Sequence, residues 1–281
     1  MTSAINYGIL IVGVVALRRR FLCICLCIWL FSGAAHADAL RVSLARSGTE
    51  DHVNLVINTA VSEDERFVQC LEEGGACVFF FEGAGEDDDD WERRFALCVV
   101  VRRENGVDRI VYENDYATTV PDRPKDRRSN GDKPVPTLLD GVYTLSAITH
   151  TEYAALNVLD AKAVRFDSGA YLDGYFDTAE GIHIHRRTSN RNSNPGNDWC
   201  NSSGCLLVGR IVQGKSPEYN AFVQAVGLSG KTANFRDPRL KVQRGEIMGI
   251  LLVDRQLAAD YLVSLYGLTG AERIMGREQE D

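Results

Sequence analysis

The chain is 281 residues long, 45% hydrophobic and 25% charged, which excludes a low-complexity or fibrous protein and a multi-span membrane protein. Lys and Arg number 31 against 39 Asp and Glu, a net charge of −8, so no nucleic-acid partner is expected, because phosphate binding needs a basic surface. The unusual count is eight cysteines, which makes the compartment the first question.

Arg18, Arg19 and Arg20 precede an apolar run from Phe21 to Leu30, and Ala35-His36-Ala37 follows it. A positive start, a short apolar stretch and an A-x-A ending describe a secretory signal peptide over residues 1–37, cleaved between Ala37 and Asp38. Gly8 to Leu17 is apolar too, so a retained anchor is the alternative. The three arginines split the two runs, however, and neither reaches the roughly 20 residues of a spanning helix. The expectation is export across the inner membrane to the periplasm, with no stable membrane insertion after cleavage. Without residues 1–37 the chain has 28 basic and 39 acidic residues, a net of −11. Five cysteines remain: Cys70, Cys77, Cys98, Cys200 and Cys205. In an oxidising space four can pair and one is left over as a stray or a working thiol.

Residues 38–281 suit a single domain with an elaborated half over 40–135 and a second half over 136–281. Leu40, Val42 and Leu44, then Val53, Leu55 and Ile57, alternate as strands with one buried face do. Cys70 and Cys77 flank Gly74-Gly75 at a spacing compatible with a hairpin-like disulfide. Cys77 to Phe81 and Ala96 to Val101 are short apolar runs that read as buried strands. The acidic run Glu86 to Asp90 between them lacks the alternating ligands and central Gly of an EF-hand, so it reads as a solvated loop. Four prolines among polar residues make 121–137 a long loop. Gly141 to Leu145 reads as a strand after the Asp140-Gly141 turn, and Gly181 to His185 as another. Leu206 to Val208 follows, leading toward a further strand at Arg210 to Val212. Ser216 as cap, Pro217 at the first position and Gly227 past the end mark a helix whose Tyr219, Phe222, Val223 and Val226 share a face. Met248 to Val253 is a last core strand, followed by a helix over Asp254 to Tyr266. The fold class is mainly β, a β-rich α+β chain with helices late in the sequence.

The chemistry-bearing stretch is Gly181-Ile-His183-Ile-His185, a polar loop, then Cys200-Asn-Ser-Ser203-Gly204-Cys205-Leu-Leu-Val-Gly209. On a strand His183 and His185 project from one face, with Ile182 and Ile184 on the other. Cys205 follows a Gly and precedes an apolar run, which mounts a nucleophile at the mouth of a strand. A thiol needs a neighbouring base to react near neutral pH, and the amides of Ser203, Gly204 and Cys205 are placed to face an acyl oxyanion. A structural disulfide between Cys205 and Cys200 is the plain alternative. Zinc on His183, His185, Cys200 and Cys205 is disfavoured because the CxxC spacing of structural sites is missing. No metal and no cofactor are expected. His52 and His150 have no neighbouring constellation and read as surface or structural residues.

The order I-H-I-H185, polar loop, S-S-G-C205-L-L-V-G resembles the L,D-transpeptidase (YkuD-like) catalytic domain, whose motif places Ser-x-Gly-Cys some distance after a His. Here nineteen residues intervene between His185 and Cys205. Asp140-Gly-Val-Tyr143-Thr is similar to the P-x-G-x-Y strand of that superfamily, and the G-C-L-L-V-G ending is closer still to an offshoot carrying G-C-I-L-V-G. The resemblance covers residues 135–225 and extends faintly over 40–135. It implies a YkuD-like β-sandwich or barrel and acyl transfer on peptidoglycan stem peptides containing D-amino acids. Cys205 would be the nucleophile, His185 the base, and the Ser203-Gly204-Cys205 amides the oxyanion hole, with His183 as a further site residue. Ser203 stands where the family commonly has His, and Leu207 where it has Arg. That puts carboxylate recognition on another cation, Arg186, Arg187 or Arg210, or makes the domain a silent wall- or protein-binding module. The acidic mature chain is unsuited to clinging to an anionic wall, so recognition should be local to a pocket.

Overall fold

A computed structural model describes residues 39–87, 94–119, 135–150, 153–166, 175–176, 181–186, 204–210, 212, 215–228, 245–266 and 272. The signal-peptide expectation, the run Asp88 to Asp90, most of the 121–137 loop, Arg187, Cys200 and Ser203 lie outside the described residues.

The first elements correct the sequence reading. Residues 50–63 are not a strand but a helix, α1 (Glu50–Glu63), followed by α2 (Glu65–Glu72). The buried positions of α1 are Val53, Ile57, Ala60 and Val61, spaced by four, three and one as one helical face requires, while Leu55 is 66% exposed. Val53 and Ile57 satisfy both periods, so only Leu55 distinguishes them. The segment at Leu40 and Val42 pairs with no sheet. Its amides donate to the side chains of Asn58 and Asn54, both at 2.9 Å, which ties it along α1. Asp64 caps α2 by accepting from the Arg66 amide at 2.9 Å.

Eleven strands follow: β1 (Ala76–Asp87), β2 (Arg94–Glu104), β3 (Val107–Thr118), β4 (Val135–Leu138), β5 (Gly141–His150), β6 (Tyr153–Leu159), β7 (Ala163–Phe166), β8 (Tyr175–Phe176), β9 (His183–Arg186), β10 (Leu206–Val208) and β11 (Ile247–Asp254). Helix α3 (Pro217–Ala225) precedes β11; a 3-10 turn (Gln256–Ala258) and α4 (Ala259–Tyr266) follow it. Eight strands close a barrel in the order β1-β11-β5-β6-β9-β10-β3-β2, and β4-β7-β8 form a second, three-stranded sheet. Closure leaves no open edge on the eight-stranded sheet. Asn105 and Gly106 both have positive φ in the β2–β3 hairpin, as a two-residue turn matched to strand twist demands.

The unbroken apolar runs of β1 and β2 arise because both faces are buried. Val78, Phe80, Cys98 and Val100 point into the barrel lumen, where one cluster gathers residues from all eight strands. Cys77, Phe79, Phe81, Leu97, Val99 and Val101 face outward and are covered by Val53, Ile57, Phe67 and Leu71 of α1 and α2. The rings of Phe67 and Phe79 stack at 5.4 Å. Tyr219, Phe222, Val223 and Val226, the predicted face of α3, join the lumen cluster. The Ser216 hydroxyl makes no capping bond, contrary to the sequence reading, so the start of α3 rests on Pro217. The further strand expected at Arg210 to Val212 is only a bridge between Val212 and Lys215.

Among the described residues two charged groups, Glu82 and Arg255, are fully buried. Arg255, immediately after β11, donates to the carbonyls of Thr119 at 3.1 Å and Leu138 at 2.9 Å. It also faces Glu82 at 3.9 Å and Asp140 at 3.5 Å. Burial pushes the Glu82 carboxyl up from its ordinary value, partly offset by Arg255 and by the hydrogen bond it accepts from the Thr119 hydroxyl.

Candidate active site

β9 and β10 run parallel, with Ile184 opposite Leu206 and His185 opposite Leu207. Partners in register point to the same side of a sheet, so Ile184 and Leu206 fill the lumen while His183, His185 and Leu207 occupy the other face. Ile182 and Ile184 are in the core, as the two-residue period predicts. One further step of the register sets Cys205 opposite His183. Its half-buried thiol donates to the Gly181 carbonyl at 3.7 Å and meets the His183 backbone amide. The thiol therefore lies in the turn that leads into the histidine strand.

The structure also brings in a residue that the sequence reading set aside. His150 ends β5, paired with Tyr153 across the β5–β6 hairpin. Its ring stacks on His185 with centroids 4.6 Å apart and an interplanar angle of 10°, and meets His183 edge-on at 5.1 Å. The Nδ1 atoms of His150 and His183 are 3.1 Å apart, so one donates and the other accepts. The reading of His150 as an isolated residue is thereby corrected; nothing local in the sequence signals a contact across 33 residues. His52, by contrast, bonds Asp254 at 3.0 Å and is structural.

His185 is 3% exposed and its tautomer follows from its partner. Nδ1 lies 2.7 Å from the Arg186 carbonyl, which can only accept, so Nδ1 carries the proton and Nε2 presents its lone pair. The Tyr153 hydroxyl lies 3.3 Å from the same nitrogen, and the Arg186 guanidinium covers the Tyr153 ring at 4.7 Å. Tyr153 was not singled out by sequence, yet it joins the imidazole to the buried Arg186. Burial pushes its phenol up to about 12, with the Cys205 sulfur close enough to add to that rise.

Burial also fixes the protonation of the histidines. Desolvation pushes His185 down to about 3 and His183 to about 4, with the neighbouring imidazole charges and, for His185, Arg186 acting the same way. His150 is lowered by burial and by Arg186. Burial raises the Cys205 thiol, countered in part by the His183 amide. At neutral pH the site thus holds neutral imidazoles and a protonated thiol rather than a thiolate–imidazolium pair.

The glycines of the motif have separate jobs. Gly204 has φ +105°, a backbone that Cβ-bearing residues avoid, and it orients the peptide leading into Cys205. Gly209 has φ +80°, and a Cβ there would stand 2.8 Å from Glu218 Cβ, so its absence lets α3 dock. Glu218 then accepts from the Arg210 amide at 2.6 Å and from Asn114 at 3.2 Å. Leu207 is fully buried against Tyr116, and Arg210 packs over the Tyr116 ring at 4.6 Å while pairing with Glu86. Of the two described cations weighed as replacements for an Arg at position 207, Arg186 and Arg210, Arg186 is the one set among the histidines. Among the described residues no group of three His, Cys, Asp or Glu is arranged to hold a metal ion.

Comparison with family models, curated proteins and solved structures found no match to this chain.

Proposed function

We propose that the chain is an exported cysteine acyltransferase or peptidase of the L,D-transpeptidase type, acting on D-amino-acid-containing stem peptides of peptidoglycan. The observation that carries this reading is the shared β9/β10 face. It holds the Cys205 thiol beside His183 and, two residue pairs along, a His185 whose Nδ1–H is tied to a carbonyl, leaving Nε2 as a proton acceptor. The reading of residues 1–37 as a signal peptide supplies the compartment.

Cys205 Sγ attacks the scissile carbonyl carbon as its proton passes to His185 Nε2, and the carbonyl oxygen takes the negative charge. The amides of Gly204 and Cys205, with that of Ser203, receive this oxyanion. Collapse breaks the C–N bond, His185 returns the proton to the leaving amine, and a Cys205 thioester remains. An amine then resolves it as a transpeptidase and water as a hydrolase. Because thiol and imidazole are both neutral at rest, proton transfer accompanies attack instead of preceding it. Arg186, buried beside His185 and packed over Tyr153, would meet a substrate carboxylate.

Purified protein incubated with muropeptides should give cross-linked or trimmed products, seen by mass spectrometry, that Cys205→Ser does not form. Identical product profiles would sink the assignment. A second reading is a silent binding module on the same fold, favoured by Leu207, which is buried against Tyr116 where the resembled family carries Arg. Retention on insoluble peptidoglycan by the wild type and by Cys205→Ser alike, without product, would support it.

A further inference from the structure

Two other cysteines meet on the far side of β1. Cys70 lies in the last turn of α2 and Cys77 is the second residue of β1, with Gly74-Gly75 turning the chain between them. Both thiols are reduced, and their sulfurs lie close enough to interact. Each has a second backbone partner, Cys70 with the Ala76 carbonyl at 3.6 Å and Cys77 with the Phe67 carbonyl at 3.7 Å. The expected disulfide is not formed; the two cysteines stand as neighbouring thiols. Cys98, at 0% exposed in the lumen, has no cysteine partner among the described residues.

The two sulfurs are not equivalent. Cys70 lines a cleft of about 320 Å³ together with Arg66, Gln69, Glu73, Thr144 and Ile250, whereas Cys77 is fully buried behind it. That volume is within the range of small-molecule sites, and the walls offer a cation, an anion and an apolar side chain. Gly75 keeps the sulfur where it is, since a Cβ there would lie 2.7 Å from Cys70 Sγ. The polarity agrees with the geometry. The neighbouring Cys77 thiol, then the Ile250 amide and Arg102, lower the Cys70 thiol against the effect of burial, while Cys70 and burial drive Cys77 up despite Arg103.

We propose that Cys70 and Cys77 are a redox-active dithiol that exchanges with low-molecular-weight disulfides of peptide-like, zwitterionic character entering this cleft, Cys70 attacking and Cys77 resolving. The Cys70 thiolate forms a bond to one sulfur of the small disulfide and releases the other half as a thiolate. The Cys77 sulfur then attacks Cys70 Sγ, closing the protein disulfide as its proton passes to the departing sulfur, which leaves as the second thiol. Two electrons pass from the protein to the small disulfide, which becomes two thiols. The arrangement is independent of the acyl-transfer reading and uses neither Cys205 nor the histidines.

The test uses the reduced full chain in mixtures of reduced and oxidised glutathione, quenched in acid, alkylated and mapped by peptide mass spectrometry. A Cys70–Cys77 disulfide should form in the wild type, and Cys77→Ser should trap glutathione on Cys70. Cys70→Ser should slow modification of Cys77 by about tenfold or more. Glutathione reaching Cys77 as fast as Cys70, or neither reacting in the folded protein while both react in urea, would overturn the proposal. Competitive alkylation of the wild type, which needs no variant, should label Cys70 about tenfold or more faster than Cys98. Equal rates would count against it.

Discussion

His185 and Cys205 set the resting chemistry through desolvation. Neither can carry its charge cheaply at neutral pH, so alkylation of Cys205 should be slow near pH 7 and climb with pH beyond the ordinary thiol range. Iodoacetamide labelling of the Cys205 peptide across pH 6–10 measures this. A rate already at its plateau at pH 6 would mean an ion pair and contradict the neutral site. The same burial links pH to stability. The unfolded His185 takes up a proton as pH falls through about 6.5, whereas the folded one does not until about 3. Its stabilising effect is therefore complete above pH 6.5 and is lost as pH falls toward 3, at up to about 1.4 kcal/mol per pH unit. Urea unfolding at pH 4, 5, 6 and 7 should show a shallower slope for His185→Gln than for the wild type. Glu82, whose raised carboxyl acts with the opposite sign in acid, is common to both proteins and cancels in the difference. Parallel slopes would show that His185 is not held neutral. At this scale the sequence was informative: the i, i+2 spacing placed His183 and His185 on one face and Ile184 in the core. His150 and Tyr153 were not legible, because the β5–β6 hairpin and its register deliver them and no local pattern announces a register.

Elements differ in how far their periodicity decided their type. α3 was legible from Pro217, Gly227 and four apolar positions, since a helical stripe of that length has no strand equivalent. β1 and β2 were legible from length and composition, because runs buried on both faces are continuous. α1 is where alternation misleads, as Val53 and Ile57 fit either period and the exposed Leu55 completes a strand-like pattern. Two truncations measure the true period. Ile57→Ala should cost about 2–5 kcal/mol, while Leu55→Ala, 66% exposed, should cost under about 0.5 kcal/mol. Equal costs in urea unfolding would return Leu55 to the buried face and restore the strand.

At the scale of the whole molecule, closure depends on contacts far apart in sequence. β11 pairs parallel with β1 and antiparallel with β5, so the last strand completes a barrel begun by the first. Gly249 permits that pairing, as a Cβ there would lie 1.8 Å from the Ala76 carbonyl oxygen. Arg255 then ties the end of β11 to Thr119 and Leu138, which are 136 and 117 residues away. Such a group cannot be read from sequence, where an isolated Arg after a strand is ordinarily a surface residue. Arg255→Met removes the charge opposite buried Glu82 and should cost about 3–5 kcal/mol, with Glu82→Gln in the same chain recovering part of it. A loss under about 1 kcal/mol would mean that the buried cation is dispensable. The barrel brings β9 and β10 together across the polar loop and so makes one face of Cys205 and His185. Whether that face performs acyl transfer is answered most directly by intact-mass analysis of the protein mixed with a stem-peptide substrate. The account expects a covalent acyl adduct mapping to Cys205, absent in Cys205→Ser and formed about 10²–10⁴-fold more slowly in His185→Gln. Product without a Cys205 adduct, or an adduct formed at the same rate without His185, would contradict it.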